Sequence, residues 1–553
     1  MKTKLMLLYA TAGLLLLQGC AKNQALKLST TGSSGPQLKA NAISGSYGTY
    51  EIYNVASSKC MEVTGGSVNY IAGVGQWDYY AGGTSGATNP AFVNQVWQVI
   101  DQGTGYYKIM NLKSGQYLEA AFPGPQLWQN KADGLDAELW QITVVGFGAY
   151  KIINKANGLS ATNHASSTAN GAPITEETYA TNSSQWWVFT PVTPAAYRDD
   201  SMMGFFQRTS GSTAFDGGSS IGLTNGSNNG KVFWQTNDTF WNGINSDGSV
   251  NCLGGENQPI AYRNSALIQP SISNLAPAST VNVTSPDGVE IFHDANSSNL
   301  FWPGAMVEIG NHVYVHCIEV SRSGGLATLN QYLLNVTEGT GTTVASVPTL
   351  TVPNMSGQTN VVYSIGMVKP GDGYVYVYGT GGFLGAGVYV ARFATGSPTS
   401  WTFWNGTSWA STPTNATSAQ VASGPVNNNT VGYVNGKYVL VEMDFGFSCD
   451  ESSRNIYTLT STSPTGPFAN KQTVYILPDN KQGHYPVFYN PTIHPEFVNG
   501  HNELLVNYCV NFYNKNDGTN GTCLPACSNP NGSEDPNDYR PKPVRIPFSL
   551  IGL

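Results

Sequence analysis

Charge is scarce in this chain. Only 11% of its 553 residues are Asp, Glu, Lys or Arg, less than half the usual share, and acids outnumber bases by 34 to 26. A protein with so few cations, and a net charge of −8, lacks the basic footprint that nucleic acid requires. Long apolar runs are also missing. The one run, Leu5 to Leu17, is too short for a comfortable membrane span. No stretch with helical periodicity stands out. No nucleophilic Ser elbow, phosphate-binding loop or dinucleotide fingerprint occurs, so the glycines read as turn glycines. There is no paired C-x-x-C knuckle to hold zinc and no EF-hand run of ligands, so no metal site is expected.

Gly, Asn, Ser and Thr fill the space left by charge, with 30 Tyr and 12 Trp. Such a polar but nearly neutral surface suits an exported β-protein that handles neutral carbohydrate. The start, MKTKLMLLYATAGLLLLQGC, has the cationic end and apolar core of an export signal. Its end, LLQGC, resembles a bacterial lipobox. The resemblance implies cleavage after residue 19, a lipid on Cys20, and a cell-envelope location in which the membrane is met only through that lipid. Residues 20–45 read as a flexible tether. Seven further cysteines remain, an odd number that leaves at least one free, and CLPAC (523–527) suits a small disulfide loop.

Residues 46–193 carry a threefold pattern. Each unit opens on an alternating strand ending in Asn (YEIYN, YKIMN, YKIIN) and closes near Trp97, Trp140 or Trp187. Units of this size bury a core only together. The Q-x-W closure resembles the ricin-B-type β-trefoil lectin, although Glu138 replaces Gln in the middle unit. By that resemblance the sugar pockets use an early acid, an aromatic platform and a polar residue. These are Glu62, Gln76 and Trp77 in the first unit, and Glu119, Gln126 and Trp128 in the second. The third unit has no such acid.

From about residue 200 to 553 a second unit recurs: a polar turn, then an alternating aromatic or β-branched strand. Its five strands begin near Lys231, His312, Tyr374, Lys437 and Glu503, at intervals of 81, 62, 63 and 66. N-G and D-G turns before alternating runs signal hairpins, and five such units predict a five-bladed β-propeller. The fold class is therefore all-β, a trefoil followed by a propeller. In such a ring the start of an inner strand and the end of its returning neighbour share one mouth. That rule brings Asp216 of FDGGSSIGL beside Asp238 of KVFWQTND. The same unit position carries Glu319 and Asp444. Inner strands begin beside Trp302, Tyr363, Asn490 and His494, and Trp241 follows Asp238, so these read as sugar-binding neighbours.

The motifs FDGGSSIGL…NDTFWNG, FWPGAMVEIGNHVYV and YNPTIHPE together resemble domain-of-unknown-function families 5005 and 4185. The second of these includes microbial endo-arabinanases acting on D-arabinan, of glycoside hydrolase family 183. Glycoside hydrolysis needs a protonated acid and a second carboxylate in unlike surroundings. Asp216 and Asp238 are taken as that pair, with Asp238 as the acid and Glu319 and Asp444 as tuning groups. The expected protein is a monomeric, lipid-anchored glycosidase of a neutral poly- or oligosaccharide. No cofactor is expected, although a channel of this kind can hold a structural calcium ion. The alternative is a glycan-binding surface lipoprotein without catalysis.

Overall fold

The computed structural model describes residues 48–553 except 80–92, 103–104, 121–123, 147, 192–195, 242, 252–259, 285–287, 294–296, 322–326, 338–346, 382–386, 424–427, 449, 480–484, 499–501 and 512–532. The export signal, Cys20, the tether and the CLPAC loop lie outside the described residues. Cys60, Cys317 and Cys509 are buried free thiols.

The threefold pattern folds as a β-trefoil. Six strands close a barrel, each paired with the next around the ring: Gly48–Asn54, Val96–Asp101, Tyr107–Asn111, Trp140–Gly146, Ala149–Asn154 and Trp187–Pro191. Three hairpins cap one end. The repeated residues explain themselves as joints. Trp97, Trp140 and Trp187 are fully buried, and each indole N–H donates to a hairpin carbonyl, at Met61 (3.0 Å), Leu118 (2.8 Å) and Ala161 (2.9 Å). The strand-ending Asn54, Asn111 and Asn154 donate to carbonyls of the preceding unit, at Ser184, Asn94 and Ala137. The units are thereby stitched head to tail, which meets the need of buried amides for partners.

The rest of the chain is a five-bladed propeller. The inner strands are Ser219–Gly222, Leu300–Ile309, Val361–Val368, Asn429–Val434 and Val487–His494. Each starts an antiparallel sheet that runs outward. Their second strands are Val232–Thr236, His312–Val320, Tyr374–Gly381, Lys437–Met443 and Glu503–Asn511. Blade five takes its outermost strand from the other end of the ring, because Tyr197–Arg198 pairs with the last strand, Lys542–Pro547. The contact is locked by charge: the Arg198 guanidinium bonds to Asp479 at 2.9 Å and to the Tyr508 hydroxyl at 2.9 Å, all buried.

Consecutive inner strands touch all the way around the axis. Glycine makes the close approach feasible. A Cβ on Gly304 of blade two would lie 2.6 Å from Ser364 Cβ of blade three. One on Gly366 would lie 2.4 Å from the Val431 carbonyl oxygen of blade four, and one on Gly432 would lie 2.8 Å from the Ile493 side chain of blade five. Apolar clusters fill the spaces between blades. Gly366→Ala should therefore cost about 1–3 kcal/mol of stability by overpacking, seen as a lower urea midpoint. An unchanged midpoint would show that the inner strands can part without cost.

Candidate active site

Two reversals of the chain bring Asp216 and Asp238 together at one end of the central channel. Asp216 precedes the inner strand of blade one, and Asp238 follows the strand that returns beside it. The Asp216 N–H donates to the Asp238 carbonyl (3.1 Å), and the Asn237 N–H donates to the Asp216 carbonyl (2.9 Å). Gly217 and Gly218, at φ +73° and +70°, make the bend between them, a conformation most side chains disfavour.

The two carboxyls have unlike company. Oδ2 of Asp216 accepts from the hydroxyls of Tyr489 (2.9 Å) and Tyr539 (2.8 Å), while its Oδ1 is buried with no partner. Burial, and then the charge of Asp238, push the Asp216 pKa up to about 7, against the two tyrosine donors. Asp238 accepts from Arg263 (2.8 Å) and from the Trp302 indole N–H (3.1 Å). Burial raises its pKa too, opposed chiefly by the Arg263 charge. Phe240, two residues on, stacks on Tyr539 with ring centroids 4.7 Å apart. The aromatic residue after Asp238 thus supports the tyrosine that holds Asp216.

Both acids line a cavity of about 640 Å³ together with Trp302, Asn429, Asn490 and Phe447. Phe447 is 42% exposed and stacks on Tyr489 (6.0 Å). Asn490 stands at a left-handed φ of +47° where the inner strand of blade five shifts register.

Several expected neighbours are elsewhere. Tyr363 is buried between Trp401 and Phe403 in the core of blade three, and it is Val362 and Ser364 that line the cavity. The strand alternates one residue out of phase with the reading that aimed Tyr363 inward. His494 is also in the core, against Trp234 and Phe497, where burial lowers its pKa to about 4. Trp241 packs edge-on against Tyr262 and does not line the cavity.

Glu319 and Asp444 share the unit position of Asp238 but point into their own blades. Glu319 accepts from Ser297, Asn299, Asn330 and Tyr332. Burial would raise its pKa, but these donors outweigh it and hold the carboxyl below its usual range. Asp444 accepts from Ser453, Asn455 and Tyr457. An acid held by Asn-x-Tyr of the third strand is thus a corner joint in blades two and four. Blade one has Arg263 where those blades have Asn, and there the acid reaches the channel.

Arg263, Tyr539 and Phe447 escaped the sequence reading. Arg263 alone carried a signal, since it holds the place of Asn330 and Asn455 in its unit.

In the trefoil, Glu62 is buried and accepts from Asn94 (3.3 Å) and Gln95 (3.0 Å). Trp128 lies across from Glu119, whereas Trp77 lies across from Cys60, so the two platforms stand at different registers. Gln76 is not at a pocket. It is fully buried, bonded to Ser57 and to the Ser167 carbonyl, and its structural counterpart in the second unit is Gln129, bonded to Ser114 and the Ser67 carbonyl. Gln126 is exposed. In the third unit Thr162 holds the place of Glu62 and Glu119.

The family model described as "Domain of unknown function (DUF5005)" matches residues 199–547. That described as "Ricin-type beta-trefoil lectin domain-like" matches 93–175 and 136–198. No curated protein matches the chain. Three solved structures illustrate the likeness. A Bacteroides ovatus protein provisionally named a hydrolase is 20% identical, covers 64% of this chain and 90% of its own, and has a TM-score of 0.48. An exo-beta-1,3-galactanase from Clostridium thermocellum is 29% identical over 26% of this chain and 30% of its own, with a TM-score of 0.24. A Macrolepiota procera ricin B-like lectin, in complex with lactose, is 19% identical over 27% of this chain and 98% of its own, with a TM-score of 0.22.

Tyr539→Phe removes a donor to Asp216 and should move that carboxyl's midpoint upward. Asp238→Asn removes the neighbouring charge and should move it downward. Carboxyl ¹³C shifts followed through pH 5–9, a window around the expected midpoint near 7, would show both; a midpoint indifferent to both substitutions would mean the pair does not interact.

Proposed function

Because the chain belongs to the family described as "Domain of unknown function (DUF5005)", whose description assigns no chemistry, we propose a function from the site itself: a glycoside hydrolase acting on a neutral polysaccharide. The trefoil serves as its carbohydrate-binding module. The observation that carries this reading is the pair of carboxyls in one cavity, held in opposite ways. Asp216 keeps a proton up to about pH 7, and Asp238 is clamped by a guanidinium and an indole N–H. Glycosidic cleavage asks for that division of labour.

Asp216 is accordingly the general acid, which reverses the order expected from sequence. The proton that burial keeps on Asp216 is the one transferred. The glycosidic C–O bond breaks as that proton passes to the leaving oxygen. Water supplies the hydroxyl that ends on the anomeric carbon, and Asp238, assisted by Arg263, receives the water's proton as base; where Asp238 first attacks that carbon, water then cleaves the ester and gives its proton to the ionised Asp216. Phe447 and Trp302 offer apolar faces for sugar rings. A furanoside of the arabinan type suits the resemblance to arabinan-cleaving families. Glu62, Glu119, Trp77 and Trp128 remain as the trefoil's sugar-binding residues. A lipid on Cys20 would hold both units at the cell envelope and raise the effective concentration of a bound polymer at the site.

Asp216→Asn and Asp238→Asn should each reduce sugar release from a polysaccharide panel about 10²–10⁴-fold, the usual worth of acid–base groups, while glycan-array binding persists. Activity of the native protein should fall as pH rises through about 7, when Asp216 gives up its proton. Full release by either variant would remove the catalytic reading. Glu119→Gln should weaken glycan-array binding without altering the rate on small soluble substrates.

A further inference from the structure

The middle unit of the trefoil breaks its own pattern at one residue. In the first unit the Gln95 amide uses both of its hydrogens: Nε2 donates to Glu62 Oε2 (3.0 Å) and to the Asp78 carbonyl (3.1 Å). In the third unit Gln185 does the same, to Thr162 Oγ1 (3.1 Å) and the Thr178 carbonyl (2.9 Å), while its Oε1 accepts from the Ala180 N–H (2.6 Å). The middle unit has Glu138 at this place. Its Oε1 keeps the acceptor's part, taking the Gly134 N–H (2.9 Å) and lying 3.3 Å from Lys108 Nζ. By the repeat, its Oε2 takes the place of the donating nitrogen, and a carboxylate has no hydrogen to donate.

The group left without that donor is Glu119, which holds the place of Glu62 and Thr162. The backbones on either side are tied together, since the Ala120 N–H donates to the Ala137 carbonyl (3.0 Å). Both carboxyls are buried, Glu119 at 7% exposure and Glu138 at 2%, and Oε2 of each has no hydrogen-bond partner. Two orphaned acceptors in one joint call for a donor between them. Among the described residues no cluster of three acids, thiols or imidazoles stands ready for a metal ion. A proton is the donor that fits a closed space. Burial raises the pKa of Glu119, opposed by Asn130 and aided by the charges of Asp133 and Glu138. Burial raises that of Glu138 too, against the Lys108 charge and with that of Asp133. The other charges nearby are engaged elsewhere: Lys155 pairs with Asp136 (2.7 Å), and Lys151 lies over the Tyr179 ring. Of two carboxyls in such a setting, one keeps its proton well above the ordinary range.

We propose that Glu138 and Glu119 share one proton, and that this proton switches the middle sugar pocket. With it in place, Glu119 is anchored as Glu62 is anchored by Gln95, and its other oxygen serves a sugar hydroxyl beside Trp128. When the proton leaves, two buried carboxylates repel and Glu119 loses its anchor. Binding in this pocket therefore weakens as pH rises. The first pocket, anchored by an amide, does not weaken with it. This rests on the reading of the trefoil as a carbohydrate-binding module and assigns a regulation to one of its pockets.

The test has two arms, both on the full chain. In the first, glutamate carboxyl ¹³C shifts are followed with pH in the absence of sugar. Glu119 should titrate above the ordinary glutamate value, and Glu138→Gln, which restores the amide of the other two units, should bring its midpoint down. A midpoint that Glu138→Gln leaves in place would overturn the shared proton. In the second arm, a glycan array of neutral mono- and oligosaccharides is probed with Glu62→Gln protein, whose first pocket is disabled. Binding about tenfold weaker at about pH 8 than at about pH 5, the equivalent of one pKa unit, is expected. Adding Glu138→Gln should make binding equal at the two pH values. Equal binding without Glu138→Gln, or a fall that persists with it, would overturn the switch. No binding at either pH, with the Glu119 midpoint still moved by Glu138→Gln, would overturn the sugar-pocket reading and the switch with it, and leave the shared proton standing.

Discussion

Side chains are missing where the inner strands come closest. Gly304, Gly366 and Gly432 each face the next blade at a distance that leaves no room for a Cβ. Without those vacancies the strands would stand apart, and five sheets would not close into a ring of this size. The channel, the meeting of Asp216 with Asp238, and the wall around them all follow from that closeness. Packing at native density makes the arrangement intolerant of even one added carbon. The inner-strand glycines thus do more for the site than many residues that border it.

Within the ring, a single unit position has been put to two uses. In blades two and four an acid at the end of the second strand is saturated by its own blade and stabilises a corner. In blade one the acid is held, among the described residues, by Arg263 and Trp302 and faces the cavity. Its neighbour Asp216 bears a cost in stability. Its pKa lies near 7 when folded against an ordinary 3.8, so between those values the folded chain binds more protons than the unfolded one. By linkage, stability falls as pH rises through that window and the loss is complete above about 7. A carboxyl that weakens the fold at neutral pH, with a buried oxygen left unpartnered, is the kind of strain that binding sites retain and cores do not.

The repeats were legible because they are structural joints. Trp97, Trp140 and Trp187 recur since each indole must find a carbonyl in its own unit, and the Asn residues recur because each amide finds one in the unit before. The blade spacing was legible because hairpin turns mark it. Orientation was harder. A one-residue error of phase sends Tyr363 inward on paper and into the blade core in fact. His494 and Gln76 look like pocket donors by residue type, yet tertiary packing takes both into the interior. Tyr539 carries no local mark at all: it reaches Asp216 from the last blade, on the far side of the ring's seam, and only the closed fold brings them together.

That seam has a temporal meaning. The outer strand of blade five, Tyr197–Arg198, is made before any other part of the ring, and its partner, Lys542–Pro547, is made last. Pairing ends so distant in sequence is entropically slow. During synthesis, Asp216 and Asp238 emerge more than three hundred residues before Tyr539 can reach them. The nascent chain therefore holds both acids before the tyrosine that meets Asp216 exists, and any ribosomal product truncated short of it carries the acids without their setting.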